Sequence, residues 1–106
     1  MIFNATENRQ TNIYFDGRYI GEFQLLKREE ENSLHFGCFS IFHQYQNRGF
    51  GKQFMLSLIK QLKENGYSSL YLNCLINNDY ANRLYISVGF TVEKNNEFNY
   101  LYKINL

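Results

Sequence analysis

Gln46-Asn47-Arg48-Gly49-Phe50-Gly51 is the stretch on which the fold of this chain turns. From Gly49 to about Asn65 the apolar residues Phe50, Phe54, Leu58 and Leu62 recur at every fourth position, with Met55 and Ile59 beside them. Lys52, Gln53, Lys60, Lys63 and Glu64 take the opposite side. This spacing predicts a helix, and Gly66 after Asn65 is a natural left-handed stop. A Gly-x-Gly turn at a helix start leaves backbone N–H groups uncovered, at the end where the helix dipole is positive. The combination suits a phosphate or pyrophosphate. Two glycines alone read equally well as a tight loop entering a helix. A strand before them, a long helix after them and a second motif about thirty residues on favour the anion site.

Working upstream, Ile13-Tyr14-Phe15, the turn Asp16-Gly17, and Arg18 to Leu26 read as a hairpin, since Asp-Gly suits a type I′ turn. In its second arm Tyr19, Gly21, Phe23 and Leu25 alternate with Arg18, Ile20, Glu22 and Gln24. A polar turn, Lys27 to Asn32, carries the solvated run Glu29-Glu30-Glu31 and leads to a third strand, Ser33 to Phe42. Strict alternation there places Leu34, Phe36 and Cys38 on one face, and His35, Gly37, Phe39 and Ile41 on the other. Such short connections predict an antiparallel meander.

Downstream, Ser69 to Ile76 is nearly continuous in apolar residues, as a buried central strand would be. A helix capped near Asn78 or Asp79 presents Ala81, Leu84, Tyr85 and Val88 on one face and ends at Gly89. Phe90 to Lys94 and Phe98 to Ile104 are two last strands joined at Asn95-Asn96. The expected class is α+β, a mixed and mostly antiparallel sheet with two main helices in the order β-β-β-α-β-α-β-β.

The 106 residues suffice for one domain, spanning 1–106. With 44% hydrophobic residues and 18% aromatic, a few large rings must supply much of the core. Eleven basic and ten acidic residues give a net charge of +1, which argues against a large nucleic-acid face. No apolar run approaches the roughly 18 residues of a membrane span, and the first residues lack the basic and apolar regions of a signal peptide. Cys38 and Cys74 fall in apolar strand patterns and read as lone buried thiols, the usage of a cytoplasmic protein.

With these elements in order, the chain resembles the GNAT superfamily of acetyl-coenzyme A-dependent N-acetyltransferases. Its pyrophosphate motif is Gln or Arg, two residues, Gly, one residue, then Gly or Ala, and here stands as Gln46-Asn47-Arg48-Gly49-Phe50-Gly51. Its second signature is matched by Asn78, Ala81, Leu84-Tyr85 and Gly89-Phe90. The resemblance implies acetyl-CoA as cosubstrate, an amine acceptor that could be a protein, and no metal, nucleic acid or membrane partner. It implies that the backbone amides from Gln46 through Asn47, Arg48, Gly49, Phe50 and Gly51 to Lys52 hold the pyrophosphate. Phe39 and Ile41 would bind the acetyl carbonyl and the pantetheine arm through their backbone, with the Phe39 N–H steadying the developing oxyanion. Asn78 would bond the pantetheine or order the second helix.

Tyr85 matches the tyrosine that protonates the leaving thiolate; otherwise it is an amphipathic core residue. Arg83 and Lys52 meet the 3′-phosphate or are simply solvated. His35 lies where some members place a general base, and a neutral imidazole suits that task; the plainer reading is a strand histidine satisfied by a neighbour. Glu22 is a further base candidate if its face turns toward the cleft, while the loop residue His43 reads as structural. Neither cysteine is placed as a nucleophile, so attack by the amine would be direct.

Only about twelve residues precede the first expected strand, so the helices that usually open the family are expected to be absent. An open acceptor side suits a protein or peptide substrate, a pocket completed in a homodimer, or a member that binds coenzyme A without turnover. Arg48-Gly49-Phe50-Gly51 also resembles the ribonucleoprotein signature of RNA-recognition domains, where it lies on a strand. Lys52 and Gln53 break that pattern.

Overall fold

Asp16 and Gly17 both adopt positive φ, 53° and 76°, the pair of values a type I′ turn requires. In the computed structural model, which describes residues 1–106, they join β1 (Arg9–Phe15) to β2 (Arg18–Lys27). β3 (Ser33–Ile41) completes the expected antiparallel meander. A 3-10 turn, His43–Tyr45, leads to α1 (Phe50–Glu64), which carries the chain across the sheet so that β4 (Ser69–Leu75) lies parallel to β3. The Asn78 side chain accepts from the Ala81 N–H at 3.2 Å and caps α2 (Asp79–Ser87). The last hairpin, β5 (Thr91–Asn95) and β6 (Asn99–Asn105), inserts β6 next to β4 and gives the sheet order β1-β2-β3-β4-β6-β5. The expected class and element order hold, with Phe50 on a helix and not on the strand an RNA-recognition signature needs.

Both helices lie on the same face of this sheet. Phe54, Met55, Leu58 and Leu62 of α1 are buried in one cluster with Phe23, Leu25, Leu34 and Phe36. Tyr85 of α2 packs on Tyr102, ring centroids 6.1 Å apart, and Tyr102 is the cross-strand partner of Leu72. Gln24, Leu26, His35, Tyr71 and Asn73 occupy the opposite face by the alternation of their strands. There the Arg28 guanidinium lies 3.8 Å over the Tyr71 ring, which keeps that tyrosine buried.

Three expectations fail, each for a local reason. On β2, Glu22 and Gln24 face Ser40 and Gly37, so two steps of one strand span three of the other. This is a bulge, and Cys38 absorbs it at φ 49°. Beyond it the phase of β3 reverses. Cys38 is exposed rather than a buried thiol, and Phe39 joins Phe36 on the helix face, stacked on Phe54 at 5.3 Å. His35, before the bulge, therefore does not share a face with Phe39 and Ile41. A second shift, where Ile13 pairs with Gly21 but Tyr14 with Tyr19, turns Ile20 inward to full burial. Finally, β1 starts at Arg9, and the residues before it are also ordered on the sheet. Ile2 bridges to Tyr14, and the Phe3 ring sits in the core 4.9 Å from Phe54.

Candidate active site

The β3–β4 ladder pairs Ser33 to Phe36 with Ser69 to Leu72 and then stops. Past that point the bulge at Cys38 keeps β3 hydrogen-bonded to β2 through Ser40 and Ile41, while β4 continues straight along β6 to Leu75. The two central strands part into a fork. On its helix side the fork opens into a cleft of about 610 Å³.

Most of the residues expected at the site meet in this cleft. Phe39 and Ile41 come from β3, Gln46, Asn47, Gly49, Phe50 and Gly51 from the loop and helix start, and Asn78 and Tyr85 from α2. Arg48, Lys52 and Arg83 are exposed and do not line it. His35 lies on the other face of the sheet.

The glycine loop is held by its own first residue. Gln46 Nε2 donates to the Ile41 carbonyl at 2.8 Å, tying the loop to the end of β3. Gly49 takes φ 79°, and no side chain caps the helix. Consequently the backbone N–H groups from Asn47 to Lys52 find no acceptor within the chain; the first amide to do so is Gln53, which bonds Gly49. A row of unanswered donors at the positive end of a four-turn helix fits a pyrophosphate. Gly51 completes the cradle: a Cβ there would touch only Leu84 Cδ2, at 3.5 Å, so nothing within the protein demands a glycine.

Tyr85 closes the inner wall. Its ring is 8% exposed, wedged against Phe90 and Tyr102. Its hydroxyl makes no hydrogen bond in the protein, yet it is not sealed from the cleft. Burial, with a smaller contribution from the neighbouring Cys74, raises this phenol well above its ordinary value, so it stays protonated and able to donate. Cys74 is itself raised by burial.

Asn82, which the sequence reading passed over, fixes one arm of the fork. Its Nδ2 donates to the carbonyls of Leu75 and Asn78, both at 2.9 Å, and its Oδ1 accepts from the Tyr102 hydroxyl at 2.7 Å. An Asn inside an otherwise apolar helix stripe was the available signal. Ser40, Tyr45, Tyr80, Ala81 and Leu84 also line the cleft.

On the far face, Arg28 Nη1 donates to His35 Nδ1 at 3.3 Å and pairs with Glu30 at 3.0 Å. Half-burial first, and the guanidinium second, lower the His35 pKa, with an Asn73 hydrogen bond opposing them. With Arg28 as the donor, Nδ1 is the accepting nitrogen of the imidazole and Nε2 carries the ring proton. Glu22 is also on this face, where it accepts from the Tyr19 hydroxyl at 2.8 Å.

Residues 2–90, which include both motifs, match the model of the acetyltransferase (GNAT) family. The chain belongs to this family. Over 54 residues it is 41% identical to the [ribosomal protein bS18]-alanine N-acetyltransferase of Haemophilus ducreyi, a match covering 48% of this chain and 37% of that one. The chain thus matches little more than a third of its curated relative. Among solved GNAT-like structures, a Bacillus subtilis acetyltransferase in complex with CoA superposes with a TM-score of 0.80 at 17% identity, covering 92% of this chain and 76% of the other. The Escherichia coli ribosomal-protein-S18-alanine N-acetyltransferase gives 0.79 at 18%, covering 92% and 68%. An Elizabethkingia anophelis GNAT acetyltransferase with acetyl-CoA bound gives 0.79 at 16%, covering 92% and 75%. At these identities the likeness is one of fold.

Proposed function

We propose that this chain moves an acetyl group from acetyl-CoA to a primary amine. The observation that carries the proposal is the row of unpartnered amides from Asn47 to Lys52, at the edge of a cleft whose inner wall is the free hydroxyl of Tyr85. The amides, with Gly49 and Gly51, would hold the pyrophosphate, and the splayed residues Phe39 and Ile41 would receive the pantetheine and acetyl carbonyl. When bound, acetyl-CoA supplies a thioester: the amine nitrogen bonds its carbonyl carbon, the C–S bond breaks, and an amide and a free thiol result. The Phe39 N–H is the candidate donor to the carbonyl oxygen. Tyr85 gives its proton to the departing sulfur and recovers one from solvent. The proton lost by the amine goes, through water, to a far-face acceptor, for which His35 and Glu22 are the two candidates. Cys38 is exposed and does not line the cleft, and burial raises the Cys74 thiol, so the reading uses no acetyl-cysteine.

The relationship to bS18-alanine N-acetyltransferase supports the N-terminus of a protein as acceptor, which would place the reaction in the cytoplasm. Calorimetric titration with acetyl-CoA and CoA tests the cofactor site. Binding at about micromolar Kd, lost in Gly51→Leu with the fold intact, is expected. Gly51 is a better probe than Gly49, whose φ of 79° would strain any replacement. No binding by the wild-type chain overturns the reading; binding without transfer to any amine would make the chain a coenzyme A-binding protein.

A further inference from the structure

Five aromatic side chains line the cleft, and four of them are engaged by the protein itself. Phe39 stacks on Phe54 at 5.3 Å, and Phe50 packs on Phe15 at 4.8 Å. Tyr85 is wedged against Phe90 and Tyr102. Tyr45 packs on the core and has the Arg48 guanidinium 6.0 Å above its ring. Tyr80 is the exception. It is 60% exposed, stacks on no other ring, and its hydroxyl has no hydrogen-bond partner in the chain. A lone exposed ring on open surface needs no reason. This one forms part of the wall of a cleft and does nothing for the fold.

Its position relative to the glycine loop says what it could meet. Leu84 marks where α2 approaches that loop, since a Cβ on Gly51 would lie 3.5 Å from its Cδ2. Tyr80 is four residues earlier on the same side of the helix, about 6 Å back along its axis. A single sugar bridges such a gap. A ligand whose pyrophosphate lies on the amides of the loop therefore reaches Tyr80 with the group attached to its ribose. The neighbouring Asp79, in the first turn of α2, has no cation partner. An unpaired carboxylate disfavours a phosphate beside it and leaves the uncharged base of the nucleotide as the group that suits the ring.

From this ring we infer that Tyr80 is the adenine platform of the cleft, the base stacking on its exposed face. The inference rests on the proposed acetyl-CoA site. It adds the residue by which the chain tells a nucleotide-bearing donor from a phosphopantetheine arm attached to anything else.

The test is calorimetric titration of the wild-type chain, Tyr80→Ala and Tyr80→Phe with CoA, 3′-dephospho-CoA and 4′-phosphopantetheine. Alanine is the better helix former, so Tyr80→Ala should melt no lower than wild type. It should weaken CoA and 3′-dephospho-CoA alike, by about tenfold or more, and leave 4′-phosphopantetheine unchanged. Tyr80→Phe keeps the stacking face and should bind CoA within about twofold of wild type. Equal CoA affinity in wild type and Tyr80→Ala overturns the platform. So does an equal loss for 4′-phosphopantetheine, which would put the ring on the arm, or a loss for CoA alone, which would put it on the 3′-phosphate. No CoA binding by the wild-type chain overturns the cofactor site itself. Should Tyr80→Ala fail to fold, or 4′-phosphopantetheine bind too weakly to titrate, nuclear Overhauser contacts in the wild-type complex with CoA decide. Contacts from the adenine H2 and H8 to the Tyr80 ring support the platform, and their absence defeats it.

Discussion

The two halves of β3 obey different rules. From Ser33 to Phe36 the strand is paired on both sides, and its side chains alternate between core and far face as a period of two demands. From Cys38 to Ile41 it is paired only with β2, its phase is reversed, and its partner across the fork is gone. The first half is ordered by the sheet and contributes stability. The second gives up one strand's worth of hydrogen bonds, and that sacrifice makes a cleft whose polar backbone faces a ligand. A single residue at φ 49°, Cys38, separates the two.

Phe54 is the side chain that ties the halves together, since its ring meets Phe36 at 6.2 Å and Phe39 at 5.3 Å as well as Phe3 and Phe23. Phe54→Ala should have the largest effect of any core change, a loss of about 3–5 kcal/mol measured by urea unfolding. A loss confined to about 1 kcal/mol would mean that the splayed half contributes no packing. Next in size is Tyr85→Phe, which keeps the packing on Phe90 and Tyr102 and removes only the hydroxyl. Single-turnover transfer should drop by about a hundredfold or more with acetyl-CoA binding unchanged; an unchanged rate removes Tyr85 from the chemistry.

How much of this was legible in the sequence follows the same division. The helix beginning at Gly49, the Asp16-Gly17 turn, the Asn78 cap and the order of elements all rest on contacts within a few residues, and these were read correctly. The glycine loop was equally readable, because what makes it a candidate anion site is the absence of local partners for its own amides. The phase of β3 beyond Cys38 was not readable. A bulge is set by how β2 fits against β3, and nothing in Ser33 to Ile41 alone marks the extra residue. The same holds for Ile20, whose inward turn depends on the register with β1. His35 was given the wrong companions for that reason, and Asn82 was overlooked because its partners lie in the β4–α2 connection and, twenty residues on, in β6.

A smaller effect concerns the paired half. The His35 pKa is lowered in the fold, chiefly by burial and then by Arg28. Its contribution to stability is therefore complete above the unfolded value of about 6.5 and is lost as pH falls through the lowered folded value. Stability measured by denaturant between pH 7 and 5 should fall by up to one proton's worth of slope, and His35→Gln should flatten that slope. No difference between the two chains would show that Arg28 moves away at no cost. The smallest expected change is at the junction itself. Cys38→Gly relieves a left-handed conformation that L-residues resist, and should raise stability by about 0.5–1 kcal/mol in the same titration, after the entropy cost of glycine. A loss instead would mean that the Cys38 side chain contributes contacts.

The β3–β4 ladder is the only parallel pairing between two strands of the sheet, four residues long, and it joins strands separated by an entire helix in sequence. On either side of it stands a unit of near-neighbour contacts: the meander of residues 9–41 and the group formed by β4, α2 and the last hairpin. Each unit closes its loops cheaply, whereas the seam between them must wait for the chain to return through α1. The fork, and every surface a cofactor would touch across it, comes into existence only when that seam zips. A molecule spanning the two units then acts as a clasp, and its grip would be read most directly as a slower unfolding rate in its presence.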